Sequence, residues 1–146
     1  MNYSKEEILP LFEENVVLLT DTFQPLLNKL AFRRNNDIYF DYKILKVIGN
    51  ELTFQSIINH IHTVVKGIFE DSPFTNIVVN LKSLALKDVD KFKNFICNLI
   101  QIFSDEYPDR LQKCYLFKTP GIFSQIYNII SFGVDKETRQ KVQIVK

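Results

Sequence analysis

Three residues late in the chain, Asp109, Thr138 and Lys141, have the types and spacing to do binding chemistry together. A carboxylate, a hydroxyl and an ammonium can cradle a polyhydroxylated, phosphorylated group, because each plays a different hydrogen-bonding role. Asp109 sits in "YPDRLQKCYLF", about four residues ahead of a predicted strand at 113–118. Lys141 immediately precedes a predicted strand at 142–145, and Thr138 lies one helical turn earlier. Parallel neighbouring strands start at the same sheet edge, so the three converge if these two strands are neighbours. The plainer reading is an ordinary surface ion pair worth about 0–1 kcal/mol, and spacing alone favours it.

The other reactive side chains suggest little chemistry. His60 and His62 are the only histidines. Two residues apart on a helix is about 200° of rotation, so they cannot share a metal, and one buried plus one exposed histidine is expected. Cys97 and Cys114 form no CxxC pair and no disulfide framework, which points to a reducing compartment and two inert core thiols. "KDVDKFK" (87–93) reads as a solvated helix face. Four glycines leave no G-x-G-x-x-G, no P-loop and no G-x-S-x-G elbow. Nucleotide binding and hydrolase chemistry are therefore not expected, nor is any cofactor, metal or enzymatic activity. With 18 basic and 17 acidic side chains, a nucleic-acid partner is not expected either.

The elements that must position these residues follow from pattern. Ser4 and Glu7 make an S-x-x-E capping box, so a helix is predicted from about residue 5, interrupted early at Pro10, with Pro25 marking a second break. "RRNND" (33–37) is turn-forming, and "IYFDYKILKVI" after it reads as one or two strands. Phe54, Ile57, Ile58, Ile61, Val64, Val65 and Ile68 keep helical spacing, and so do Val89 to Phe103. "NIVVNL" (76–81) and "CYLF" (114–117) read as buried strands. A helix over 121–132, a capped turn "DKET" and a strand "VQIV" (142–145) complete the order. Strand alternating with helix predicts an α/β fold, a mostly parallel sheet with helices on both faces and the first strand or two antiparallel. One compact domain over 1–146 is expected, with a short helical segment at 1–32 and an α/β core at 38–146.

The segment "DEYPDRLQKCYLFKTPGIFSQIYNIISFGVDKETRQKVQIV" resembles the CRAL-TRIO lipid-binding domain family. That family's pattern runs as YPER, an apolar strand ending in N-x-P, a phenylalanine-bearing helix, and L-D-x-x-T-x-x-K-I. Here stand Tyr107, Pro108, Asp109 and Arg110, then Thr119-Pro120, Phe123, and finally Asp135, Thr138, Lys141 and Val142. The match is convincing over 76–146 and looser back to about 38. Asn80 and Ser83 stand where the pattern has Asp and Gly, and Asp109 is one methylene shorter than the family's glutamate.

The resemblance implies a non-enzymatic pocket for one hydrophobic ligand, with a phospholipid such as a phosphoinositide foremost, and transfer of that ligand between membranes. By likeness to the phosphoinositide-binding branch, Asp109 and Lys141, with Thr138 beside them, would meet the head group. Phe117, Phe123, Ile126, Tyr127 and Ile130 would line the pocket or its gate, helix 121–132. The implied partners are the lipid and, transiently, a membrane surface. A cytoplasmic protein peripheral at membranes is expected, since "GIFSQIYNIISFGV" is too short and polar to span a bilayer and no signal peptide is seen. The alternative is a protein-interaction scaffold of the divergent BCH-like branch. Its pocket would be collapsed and filled by Phe and Ile side chains, and it would meet a protein partner or a second copy through "IYFDYKI".

Overall fold

A computed structural model describes residues 4–118, Gly121, Tyr127, Asn128 and 135–145, with backbone only at 89–97 and 100. Helix α1 (Lys5–Glu14) and α2 (Phe23–Leu30) lead into a hairpin of β1 (Ala31–Arg34) and β2 (Asp37–Asp41). Then follow α3 (Tyr42–Ile48), α4 (Phe54–Asp71), β3 (Thr75–Asn80), α5 (Leu86–Glu106), β4 (Leu111–Phe117), α6 (Lys136–Gln140) and β5 (Val142–Val145). The five strands lie in chain order in one sheet. β1 pairs antiparallel with β2, and β2 through β5 are parallel. The expected α/β class is therefore the observed one.

This order makes the two sheet faces unequal. Each new parallel strand is added on the same side, so right-handed crossovers carry α4 and α5 over the same face. There Ile38, Ile44, Leu45, Ile57, Ile61, Val65 and Ile68 make the main core, with Phe40, Ile77, Leu99 and Phe103 packed against it. The opposite face presents Phe32, Tyr39, Val78, Tyr115, Phe117 and Val145, and among the described residues α1 lies across it, through Ile8 and Phe12 with Leu9 and Leu11 beside them.

Helix α1 starts at Lys5 as predicted, but not by the predicted cap. Ser4 Oγ donates to the Glu6 carboxylate at 3.0 Å and makes no bond to the helix backbone. Pro10 does not interrupt the helix. It lies on the exposed side, where the Glu6 carbonyl it leaves unbonded can meet water. Pro25 falls in the first turn of α2, where its missing N–H would have had no partner.

Residues 42–48 form a helix where strand was expected. Asp41 N-caps it, accepting the Lys43 N–H at 3.2 Å. Tyr42, Ile44, Leu45 and Ile48 are buried, so tertiary packing overrides the β-branched composition. Both histidines are half-buried, rather than one buried and one exposed. Nε2 of His60 donates to the Ala31 carbonyl at 2.8 Å, and Nδ1 of His62 meets the Tyr107 hydroxyl at 3.0 Å.

Candidate functional site

The stretch 107–110 is a turn whose residues divide between structure and exposure. The Arg110 N–H reaches the Tyr107 carbonyl at 3.3 Å, with Pro108 second and Asp109 third at φ 61°. Proline followed by a residue of positive φ is the type II pattern, and aspartate tolerates that region better than most side chains. Tyr107 is held among Phe69, Phe103 and His62, with ring centroids 5.2–5.8 Å away. The Arg110 guanidinium lies 3.8 Å from the centre of the Phe69 ring and donates to the Pro73 carbonyl at 3.1 Å. Tyr107 and Arg110 thus lock the end of α4 to the start of β4. Asp109 is exposed and, among the described residues, makes no side-chain bond.

β4 and β5 are parallel neighbours, with Cys114 opposite Val142, so Asp109, Thr138 and Lys141 lie at one sheet edge. Lys141 stands level with Lys113. Asp109 is four residues further back, up to about 13 Å of extended chain, and no ion pair joins it to Lys141 among the described residues. Asp135 N-caps α6, its Oδ1 accepting the Thr138 N–H at 2.7 Å. That bond, with a second from the Thr138 hydroxyl, holds the Asp135 carboxyl below its usual range. Lys141 accepts the Cys114 N–H through its carbonyl at 2.9 Å. Beside it, Tyr127, Lys136, Arg139 and Gln140 line an open depression of about 330 Å³.

The apolar candidates divide. Phe117 is fully buried, packed with Ile8, Phe12, Tyr39 and Val78, while Tyr127 faces the depression. Phe123, Ile126 and Ile130, and most of the predicted helix 121–132, lie outside the described residues. Cys114 is half-buried in β4, and burial pushes its thiol up to about 12, which leaves it protonated and inert. Among the described residues no group of His, Cys, Asp or Glu could hold a metal, and no helix is long and apolar enough to cross a membrane.

Three buried carboxylates, Asp37, Asp41 and Asp88, escaped the sequence reading. Asp41, at the carboxyl end of β2, is wholly buried on the α1 face. It accepts from Lys43 Nζ at 2.6 Å, Asn15 Nδ2 at 3.0 Å and Asn80 Nδ2 at 3.1 Å. Lys43 Nζ also reaches the Phe12 carbonyl at 2.6 Å, so this cluster clasps the end of α1 to the sheet. Asn80 stands where the family pattern has Asp, and its amide can donate to Asp41 where a carboxylate would repel it. Asp88, read as part of a solvated face, is buried instead. Burial opposes its charge, but the Ala85 N–H, Lys46 and the Tyr42 hydroxyl outweigh that and keep its pKa low. An acidic residue just ahead of an apolar run was the available signal for Asp41.

Comparison with known proteins bears on this geometry. A family model described as the CRAL/TRIO domain matches residues 44–146. The Sec14 cytosolic factor of Schizosaccharomyces pombe is 28% identical over 68 residues, which is 47% of this chain and 24% of that protein. A solved structure titled "Crystal structure of Sfh5" superposes with a TM-score of 0.62 at 23% identity, covering 86% of this chain and 50% of that one. The chain thus spans half or less of the length of these relatives.

Proposed function

Because the chain belongs to the CRAL/TRIO domain family, we propose that it binds a lipid without chemical conversion and passes it between membranes, with a phosphoinositide as the favoured ligand. The observation that carries the reading is the parallel pairing of β4 with β5, which sets Lys141 and Asp109 at one sheet edge, with Lys136 and Arg139 lining a depression just before Lys141 in the chain. A phosphorylated head group is suited by several donors with positive charge at one mouth. In this reading Lys141 supplies charge to the phosphate, and Asp109, free of internal bonds, accepts from sugar hydroxyls. The hydroxyl of Thr138 serves the cap, so its part is to hold Lys141 at the edge. Tyr127, with Phe123, Ile126 and Ile130, closes over the acyl chains. The protein works at the cytoplasmic surface of membranes.

The test is a charge reversal. Lys141→Glu should lower affinity for labelled phosphoinositide about tenfold or more, while the unfolding free energy moves by less than about 0.5 kcal/mol. An equal loss of both would make Lys141 a structural residue.

A second reading is favoured by one observation. Ile8 and Phe12 fill the space above Phe117, which is the packing an interaction scaffold with a collapsed pocket would have. On the lipid reading α1 must swing aside, or the ligand must lie toward Tyr115 and Val145. Competition decides between the two: if deleting α1's apolar side chains leaves lipid uptake at zero, the scaffold reading prevails.

A further inference from the structure

Among the described residues most exposed aliphatic side chains gather at one end of the molecule, with Val47 on α3 and Ile144 on the edge strand β5 besides. Residues 16–19, Val-Val-Leu-Leu, are all exposed, and Leu19 wholly so. Their loop hangs from the carboxyl end of the parallel strands, because Asn15 bonds to Asp41 and Lys29 Nζ bonds to the Val16 carbonyl. Leu52, 95% exposed, tips the turn between α3 and α4. Leu86 begins α5 just after β3 ends, and Lys46 of α3 reaches across to the Ser83 carbonyl there. Three separate loops at one end of the molecule therefore each hold out an aliphatic tip. At the other end Phe74 is the exposed large apolar side chain of the β3 entrance.

The charges at the carboxyl end are arranged to be quiet. Lys29 pairs with Asp21, Lys43 with Asp41 and Lys46 with Asp88, and these three carboxylates are turned inward. Among the described side chains what is left outward is near balance: Lys82, Lys87 and Lys118 against Glu13, Glu14 and Glu51. A partner protein would have to offer a matching pit to each of three separate tips. A fluid interface accepts separate aliphatic tips without complementarity of shape, and a near-neutral rim suits zwitterionic head groups.

We infer that the carboxyl end of the sheet is a docking surface for the zwitterionic bilayer, entered by the tips at Leu18, Leu19, Leu52 and Leu86. The choice of a bilayer as occupant rests on the lipid-binding reading. Docking is driven by apolar insertion and depends little on anionic lipid or salt. It also sets the basic depression at α6, at the opposite sheet edge, away from the bilayer contact, so that docking and head-group capture use different surfaces.

Co-sedimentation of the full chain with phosphatidylcholine vesicles tests this. Wild type should partition onto the vesicles equally at low and high salt. The double variant L19D/L52D should partition about tenfold less or weaker still, and Phe74→Asp should behave as wild type. Leu19 and Leu52 are solvent-exposed tips outside the core, so the double variant should keep its fold, as circular dichroism would confirm. Binding by L19D/L52D equal to wild type, or binding that needs anionic lipid and vanishes in salt, would overturn the assignment. A parallel titration with a monomeric short-chain phosphatidylinositol, without vesicles, separates the two proposals. Docking without uptake of that lipid sinks the ligand reading and leaves the surface; uptake without docking sinks the surface and leaves the ligand.

Discussion

The two faces of the sheet are built to different depths. On the crossover face, thirteen buried described residues from α2, α3, α4, β1, β2 and the loop before α5 interlock. On the other face five described residues are buried, of which α1 contributes Ile8 and Phe12, with its Leu9 and Leu11 partly buried beside them. The α1 helix is held by Ile8 and Phe12, with Leu9 and Leu11, and by the Asp41 clasp, and Pro10 deprives it of a backbone bond. One face is a core that exists only when the whole chain is folded. The other, among the described residues, is an apolar surface under a short helix, which can open while the rest stays intact. A protein that exchanges a hydrophobic ligand needs such an asymmetry, because the surface that meets the ligand must be exposed without global unfolding.

The largest effect should come from the deep face. Ile57→Ala removes atoms from a site with no solvent contact and should lower the unfolding free energy by about 2–5 kcal/mol, read by urea denaturation. A similar truncation of buried Phe12 would ordinarily cost about 3–5 kcal/mol. Here the loss should stop short of that, because α1 detaches once its docking is weaker than its release. Native-state hydrogen exchange should then show α1 and the Lys43–Asp41 clasp opening ahead of α4, and lipid uptake should rise. Equal global losses from both substitutions would make the faces equivalent and remove the basis for a separable cover.

Acid distinguishes the faces more gently. The folded pKa of Asp88 is depressed, so its contribution is present above the ordinary carboxylate pKa and is lost as pH falls through the lower, folded value. That carboxylate ties α5 to Lys46 and Tyr42 of α3, so stability should decline below about pH 4, and Asp88→Asn should flatten the decline. A decline of the same steepness in the variant would assign it to other carboxylates. The smallest effect belongs to Ser83, at φ 80° in the turn after β3. Ser83→Gly should raise stability by about 1 kcal/mol, since glycine reaches that region without steric penalty. A loss on that substitution would mean that the Ser83 side chain makes a contact worth more than the strain.

Much of the frame was legible because it is local. The single apolar stripe from Phe54 to Ile68 allows no reading but helix, and the short apolar run at 76–81 none but a central strand. The β4–β5 pairing stood in the sequence only as a condition, and the sheet meets it. Residues 42–48 misled because their β-branched composition says strand, while the deciding fact is the Asp41 cap together with burial against α2 and α4. Asp41 offered a capping signal, but its buried cluster was not legible, since two of its partners, Asn15 and Asn80, lie 26 and 39 residues away. The turn at 107–110 was legible in shape. What sequence could not separate is that Tyr107 and Arg110 are consumed in joining α4 to β4, which leaves Asp109 as the outward member. Thr138 shows the same division: its spacing from Lys141 fits a binding motif, and its bonds belong to the cap of α6.

The central claim, that this chain carries a lipid, is tested most directly by native mass spectrometry of protein purified from cells without detergent. The account predicts a bound species in the mass range of a single phospholipid, released on denaturation and replaced by labelled phosphoinositide from vesicles. Protein found only at its bare mass, with no label taken up or passed on, would contradict it.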